Sequence, residues 1–464
     1  MKLFSKETYQ NRRKRLQNLV GGGLLVFLGN EESSSNFKDN HYPFRQDSNF
    51  LYFFGLDLPG LSAVIDTDEN LEVIFGDDTK IEDEVWFGSR PSVSDLGHRV
   101  GVMQVKPKDG LIKYVHSSKH KTVHILPPYR PENERKIAAC LQVKVSEVST
   151  KISETFINAV VAIRSVKSGE EINEINEAVN LTANIHKMLM KGAQSGMTEY
   201  ELVGLAVGKA VSSGGSASFP PIITINGQIL HNHNYSNRLE DGKMVLIDFG
   251  AETAMHYAGD ITRTIPVGDK FSSRQKDVYT IVSNAHSEAI AALKPGVKFI
   301  DVHLLACKKL AEGLKDLGLM KGSPEDAVME GAHALFFQCG LGHMMGLDVH
   351  DMEDLGEQYV GYTDQIRKSS QFGLKSLRLG RELEEGFIIT VEPGLYFIPQ
   401  LMDSWQGKGL FKDFINYDKL KQFRNFGGIR IEDDFEITNN GSRLLGEPLA
   451  FDILGVEAFR RLSK

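Results

Sequence analysis

Residues 245–264, VLIDFGAETAMHYAGDITRT, constrain this chain more than any other stretch. Met244-Val245-Leu246-Ile247 is a β-type apolar run that ends on Asp248, and Asp260 opens a second β-branched run over residues 261–265. Two such runs joined by a small-residue connection predict a hairpin. An ionised carboxylate in a strand of this kind is costly to bury unless it is paired or bound to a cation. Two carboxylates on neighbouring strands repel unless a cation lies between them. Either aspartate alone reads equally well as a turn cap at a strand end, so the remainder of the chain has to decide.

Three downstream motifs repeat the pattern. GLGHMMGLDVHD carries His343 and His350, FIITVEPGLYF carries Glu392 at the end of a β-rich run, and GGIRIEDDFEIT sets Ile429, Ile431 and Glu432 around Arg430. Singly, each suits a core histidine or a strand-end acid before a turn. With Asp248 and Asp260, the residues Glu392, Glu432 and His343 make four carboxylates and one imidazole, all in or beside apolar strands. Such a set suits a pair of divalent cations about 3.5–4 Å apart with bridging carboxylates. An oxygen-rich set with one imidazole favours Mn2+, Fe2+, Co2+ or Zn2+ without choosing among them.

The surrounding sequence gives these residues a frame. A charged helix is expected over residues 4–19, with Phe4, Leu16 and Leu19 as its apolar contacts, then a short buried strand at 24–27. HYPFRQDSNFLYFFGLDLPG reads as aromatic, β-prone core, and LSAVIDTDENLEVIFG as two strands around an Asp/Asn turn. Strands alternating with helical patterns to about residue 150 predict a self-contained α/β domain. Beyond Ser153 the pattern changes to long amphipathic helices, two of them opened by the capping boxes Ser168/Glu171 and Thr198/Glu201. The expected division is a domain over residues 1–160 followed by a catalytic domain over 161–464.

Charge and composition exclude several classes. A formal charge of −8 gives no reason to expect nucleic acid or an anionic membrane surface as partner. No apolar run approaches a transmembrane length, and the basic N-terminus lacks an apolar segment behind it, so a cytoplasmic setting is expected. Cys140, Cys307 and Cys339 form neither a metal-binding spacing nor an even disulfide set.

The set DFG…GDITRT, GLGHMMGLDVHD, TVEPGLYF and GIRIEDD resembles the pita-bread metallopeptidases, the family of methionine aminopeptidase, aminopeptidase P and prolidase. HYPFRQDSNFLYFFGL and EVWFGSRP resemble the N-terminal domain of its proline-directed members. The resemblance implies an α+β fold, a pita-bread catalytic domain preceded by a smaller α/β domain. It implies Asp248, Asp260, His343, Glu392 and Glu432 as ligands of two divalent metal ions, with Mn2+ placed first and Zn2+, Co2+ or Fe2+ as alternatives. Asp248 would serve one metal and Asp260 bridge to the other. Glu392, His350 and His231 (in ILHNHNYSN) would be the catalytic groups, with His233 ranked below His231 because an extended strand would turn it to the opposite face. Arg430 would orient a ligand carboxylate.

The implied activity is hydrolysis of Xaa-Pro bonds at the N-terminus of dipeptides or short peptides. GLKSLRLGRELEEGFIITVEPGLYFI is similar to prolidase, where the arginine of the SLR triplet holds the carboxylate of the proline product; that makes Arg378 a carboxylate clamp and favours an Xaa-Pro dipeptidase. Aminopeptidase P acting on longer peptides is the alternative, and a non-enzymatic binding module or a metal-independent creatinase-like hydrolase is disfavoured by the complete ligand set. Cys339 stands where most relatives have a histidine and is expected on the substrate side, with His231, His350 and Arg378. The resemblance also implies a homodimer. The native metal, the preferred Xaa residue and the effect of Cys339 stay open at this level.

Overall fold

A computed structural model describes residues 2–118 and 121–461. The chain separates into two compact units, Met1–Arg164 with Met352–Tyr359, and Ser165–Asp351 with Val360–Lys464.

The first unit is built on five strands, β1 (Leu24–Leu28), β2 (Ser62–Asp66), β3 (Leu71–Phe75), β4 (Gln104–Lys106) and β5 (Val123–Ile125), in the order β4-β3-β2-β1-β5. The central pairs β1/β2 and β2/β3 are antiparallel, while the outer pairs β1/β5 and β3/β4 are parallel. The β2–β3 connection is the expected Asp/Asn turn: Asn70 takes a positive φ of 50°, and Asp66 accepts a hydrogen bond from the Glu69 N–H. The first helix, Lys6–Val20, is capped by Ser5 and buries Leu16, but Leu19 lies exposed.

The aromatic segment departs from its expected β conformation. Residues Ser48–Phe54 form a helix, because Asp47 caps it by accepting the Phe50 N–H at 2.8 Å and Gly55 closes it in the left-handed region. Cap chemistry and packing outweigh the β propensity of the aromatics. Phe50, Phe53 and Phe54 are fully buried, as expected, and Phe27 packs on Phe53 and Phe54 at 5.2 and 5.3 Å between ring centroids.

In the second unit both capping boxes form as the sequence predicts, Ser168/Glu171 opening the helix Gly169–Gly192 and Thr198/Glu201 opening Glu199–Ser212. Strands β6 (Ser216–Ala217), β7 (Ile222–Thr224), β8 (Met244–Phe249), β9 (Ala251–Glu252) and β10 (Ile261–Pro266) follow. The hairpin of β8 and β10 is present and antiparallel, and β7 adds to the other side of β8. Its connection is more structured than a plain loop, since β9 within it pairs with β6. The helices Ser273–Ala292 and Phe299–Asp316 pack against each other. The chain then returns through β11 (Ile388–Val391), β12 (Gly394–Tyr396), β13 (Gly428–Arg430), β14 (Asp433–Thr438) and β15 (Gly441–Leu444). Residues 399–427, between β12 and β13, contain the helix Pro399–Lys408.

Candidate functional site

One register across the second unit assembles the acids. Thr262 on β10 lies opposite Asp248 on β8, and on its other side forms an isolated bridge with Glu432. Glu432 falls in the break between β13 and β14, and Glu392 in the matching break between β11 and β12. The pairs Val391–Asp433 and Gly394–Arg430 share one antiparallel register, which sets Glu392 opposite Glu432. Asp248, Thr262, Glu432 and Glu392 therefore form one row across four strands. Directly opposed side chains in such a row stand about 4.5–5.5 Å apart at Cβ. Asp260 and Arg430 lie two residues along from Thr262 and Glu432, on the same face by the alternation of strands.

His343 joins the row through backbone pairing. Residues 341–345 run beside β11: the Thr390 N–H donates to the His343 carbonyl at 3.1 Å and the Glu392 N–H to that of Leu341 at 2.7 Å. The approach is close enough to require Gly342, where a Cβ would lie 2.1 Å from the Thr390 oxygen. His343 Nδ1 lies 3.0 Å from the Met344 carbonyl. Donation there leaves Nε2 as a lone pair, 3.6 Å from Asp260 and 3.8 Å from Glu392. The ligand atoms of Asp260, His343 and Glu432 all lie within 4.8 Å of one another, and all three residues are buried.

The electrostatics call for a cation. Burial, then the charges of Asp248, Asp434 and Glu392, hold Asp260 well above the ordinary carboxylate range. Glu432 is raised well above it by burial and by Asp260, Glu392 and Asp248. Burial also raises Glu392, against the opposing pull of His343 and Arg430. Oδ1 of Asp260 is buried with no hydrogen-bond partner. Clustered acids with an orphaned oxygen and one imidazole lone pair fit divalent cations by donor type.

Arg430 is the hub of the protein's own contacts here. It pairs with Asp248 through Nη2, donates from Nε to Thr262 Oγ1 at 3.2 Å, and from Nη1 to Tyr396 Oη at 2.9 Å. Burial disfavours its charge, but Tyr396, Asp248, Glu432 and Glu392 outweigh that and raise its pKa. Thr262 passes the order on, donating to Glu432 Oε2 at 2.6 Å. Asp434 fixes Asp260 by accepting its backbone N–H at 3.0 Å.

A cavity of about 250 Å3 opens onto this face. Asp248, Asp260, His343, Glu392, Glu432 and Arg430 line it, together with His231, His350, Arg378 and Cys339, so every residue singled out in the sequence meets here. His350 lies edge-on to His343, with ring centroids 4.3 Å apart. Burial and the nearby Arg430 lower the pKa of His231. Cys339 approaches Tyr396 Oη at 3.8 Å, and its thiol is pushed up to about 12 by burial and by Glu392. Phe219, Pro220, Ile222, Leu230 and Val349 form the apolar part of the wall.

The sequence reading missed several residues. His233 lines the cavity beside His231. Between them Asn232 is buried, donating to Thr224 Oγ1 at 2.8 Å and accepting the Asn234 N–H, so the segment turns and the extended geometry on which His233 was ranked lower does not hold. Thr262, Tyr396 and Asp434 also went unassigned, although they lie within the quoted motifs GDITRT, TVEPGLYF and GIRIEDD. The buried ion pair of Lys167 and Asp351, 2.9 Å long, anchors the residue after His350 and has no local sequence signal.

Residues 173–439 match the family model for metallopeptidase family M24, and residues 9–125 match that for the aminopeptidase P N-terminal domain. The chain is 31% identical to the Xaa-Pro dipeptidase of Homo sapiens over 452 residues, covering 95% of this chain and 90% of that one. It is equally 31% identical to the Xaa-Pro aminopeptidase of Escherichia coli strain K12 over 465 residues, covering 96% and 95%. Among solved structures it is similar to zinc-substituted E. coli aminopeptidase P in complex with product, with a TM-score of 0.82, 27% identity and 100% of both chains covered. Proline aminopeptidase P II from Yersinia pestis matches with the same TM-score at 30% identity, over 99% of this chain and 100% of that one.

Proposed function

Because this chain belongs to metallopeptidase family M24, we propose that it is a divalent-metal-dependent exopeptidase that hydrolyses the Xaa-Pro bond at the N-terminus of dipeptides or short peptides. The row of opposed acids, closed by the His343 lone pair and facing one cavity, carries this reading. Residues 1–160 are read as the N-terminal domain and 161–464 as the catalytic one.

Asp248, Asp260, His343, Glu392 and Glu432 would hold two cations, with Mn2+ proposed first. When bound, these supply an acidified water and polarise the substrate carbonyl. Glu392 is the acid best placed to move protons, since its side chain is 18% exposed against 10% for Asp248 and 7% for Asp260. Its carboxylate takes a proton from the attacking water and delivers it to the proline nitrogen as the C–N bond breaks. His350 and His231 face the same cavity and would donate to the oxyanion that forms at the Xaa carbonyl. Proline has no amide N–H, so its subsite needs an apolar wall without an acceptor, which Phe219, Pro220, Ile222, Leu230 and Val349 offer.

Arg378 lines the cavity and favours the dipeptidase reading, with its guanidinium as the clamp for the proline carboxylate. Aminopeptidase P activity on longer peptides is the second reading, favoured by the likeness to the E. coli enzyme. Cys339 is assigned to the substrate side and Arg430 to the orientation of Asp248. We assign the chain to the cytoplasm; among the described residues no helix is long and apolar enough to cross a membrane. A homodimer is proposed, and the exposed Ile81, Val85, Trp86 and Phe87 of the first unit suit a protein contact. The deciding experiment compares turnover of an Xaa-Pro dipeptide with that of an Xaa-Pro-Xaa tripeptide, before and after chelation and Mn2+ replacement. Dipeptide hydrolysis that is lost on chelation and restored by metal is expected. Full activity in metal-free protein overturns the reading.

A further inference from the structure

The second unit buries another cluster of metal-ligand types, with different donor chemistry. His303 and Cys307 stand four residues apart on one face of the helix Phe299–Asp316, and His333 lies on the short 3-10 turn Ala332–Leu335. One ligand atom from each lies within 4.8 Å of the other two, and the three residues are 1%, 0% and 2% exposed. Cys307 Sγ and His303 Nε2 are already 3.4 Å apart. With zinc bonds of about 2.3 Å to sulfur and about 2.0–2.1 Å to nitrogen, a tetrahedral angle sets such a pair about 3.5 Å apart.

The alternative is a histidine–cysteine contact that merely fills the core, and an unpaired polar atom argues against it. The carbonyls of Ala327 and Val328 can take the one ring N–H of a neutral His333, which leaves its other ring nitrogen without a partner. Each buried polar atom left unpaired costs about 1–3 kcal/mol. A core contact between Cys307 and His303 leaves the acceptor nitrogen of His333 unpaired, whereas a shared cation uses one lone pair from each imidazole.

We propose that His303, Cys307 and His333 form a second, sulfur-containing metal site that takes one zinc ion, with a water as the fourth ligand of a tetrahedral set, separate from the carboxylate centre. Thiolate with two imidazoles selects a soft or borderline cation, unlike the oxygen-rich set of Asp260 and Glu432. Binding exchanges the Cys307 Sγ–H proton for Zn2+ and releases that proton to solvent, while each imidazole gives a lone pair. Burial holds His303 at about 3 and His333 at about 4, so both rings are neutral and ready to ligate at physiological pH. No sequence spacing announces the site, because its third ligand lies on a separate turn.

Cobalt substitution tests this without reference to catalysis. The acids and imidazole of the carboxylate centre are oxygen and nitrogen donors, so a thiolate-to-Co2+ charge-transfer band reports sulfur ligation. The full chain, stripped with chelator and titrated with Co2+, should take up one equivalent beyond those of the carboxylate centre and show this band, and zinc should abolish it. Cys307→Ser should lose the band; Cys339→Ser and Cys140→Ser should keep it. Wild-type protein without a band at saturating Co2+, a measurement that needs no variant to fold, overturns the proposal. A band that survives in Cys307→Ser and disappears in Cys339→Ser overturns it as well, by assigning the thiolate to the catalytic cavity.

Discussion

Arg430→Lys isolates what the guanidinium does for the proposed metal ligands. Arg430 makes three separate contacts, to Asp248, Thr262 and Tyr396, and it does so while buried at 4% exposure. A lysine keeps the charge and one directed contact, here taken as that to Asp248, because its ammonium is a point donor where the guanidinium is a fork. The contacts to Thr262 and Tyr396 are then lost. At about 1 kcal/mol net for each hydrogen bond, the loss is about 2 kcal/mol. Thr262 transmits this to the site, since its hydroxyl is the group that donates to Glu432 at 2.6 Å. If the whole loss appears in metal binding, affinity falls about 30-fold at about 1.4 kcal/mol per decade, within the 10–100-fold range typical for groups that orient ligands. Competition against a fluorescent chelator at fixed pH measures that affinity directly, and circular dichroism checks that the variant is folded. A folded Arg430→Lys protein with wild-type metal affinity would refute the claim that Arg430 orders Asp248 and Glu432.

Glu392→Gln should keep the fold, and turnover of an Xaa-Pro dipeptide should fall by at least about 100-fold, the lower end for loss of a general acid–base group; retention of more than a tenth of the wild-type kcat sinks the assignment. Arg378→Ala should lower kcat/KM for the dipeptide by about 10–100-fold, matching about 1.5–3 kcal/mol for a charged hydrogen bond, and change tripeptide turnover much less. Equal effects on both substrates would remove the carboxylate clamp. Metal removal should depend on pH in a defined direction. Asp260, Glu392 and Glu432 are held above their ordinary values of 3.8, 4.5 and 4.5, so the metal-free folded state binds more protons than the unfolded chain. The stability these groups contribute is complete below those ordinary values and is lost as pH rises through the raised ones. Stripping metal should therefore lower the Tm more at pH 8 than at pH 5 in scanning calorimetry, and an equal loss at both would contradict the raised carboxylates.

What could be read from the sequence was local. Ser168/Glu171 and Thr198/Glu201 cap their helices as expected because a capping box is complete within four residues. The acid ligand candidates were visible because each stands against an apolar β run, where an ionised side chain is conspicuous. The segment around Phe50 failed for a related reason: its β-prone aromatics were visible, but the Asp47 cap that turns them into a helix was not weighed against them. His233 was misjudged because Asn232, which curls the chain by accepting the Asn234 N–H, is held in place by its bond to Thr224, eight residues away. Arg430 could be assigned a role, but not its three partners, which lie 34 to 182 residues away in sequence.

Register is the level at which the site is specified. Asp248 and Thr262 come from one hairpin and Glu392 and Glu432 from strands more than a hundred residues further on, yet each stands opposite the next. Side chains alternate along a strand, so slipping β10 by one residue would bring Arg263 to the site face in place of Thr262. Arg263 is instead fully buried on the other face, where its guanidinium bonds Asp433 at 2.7 Å and the carbonyls of Glu432, Leu449 and Ala450. A slip would strand this charge away from those partners, and breaking a buried ion pair costs about 3–5 kcal/mol. The contacts that hold the register on one face of β10 thus protect the alignment of acids on the other. Arg263→Leu should accordingly cost stability and loosen metal binding together, although Arg263 does not line the cavity. Calorimetry and chelator competition on the same preparation test the link: a variant that loses Tm but keeps wild-type metal affinity would show that the two faces are not coupled through the strand.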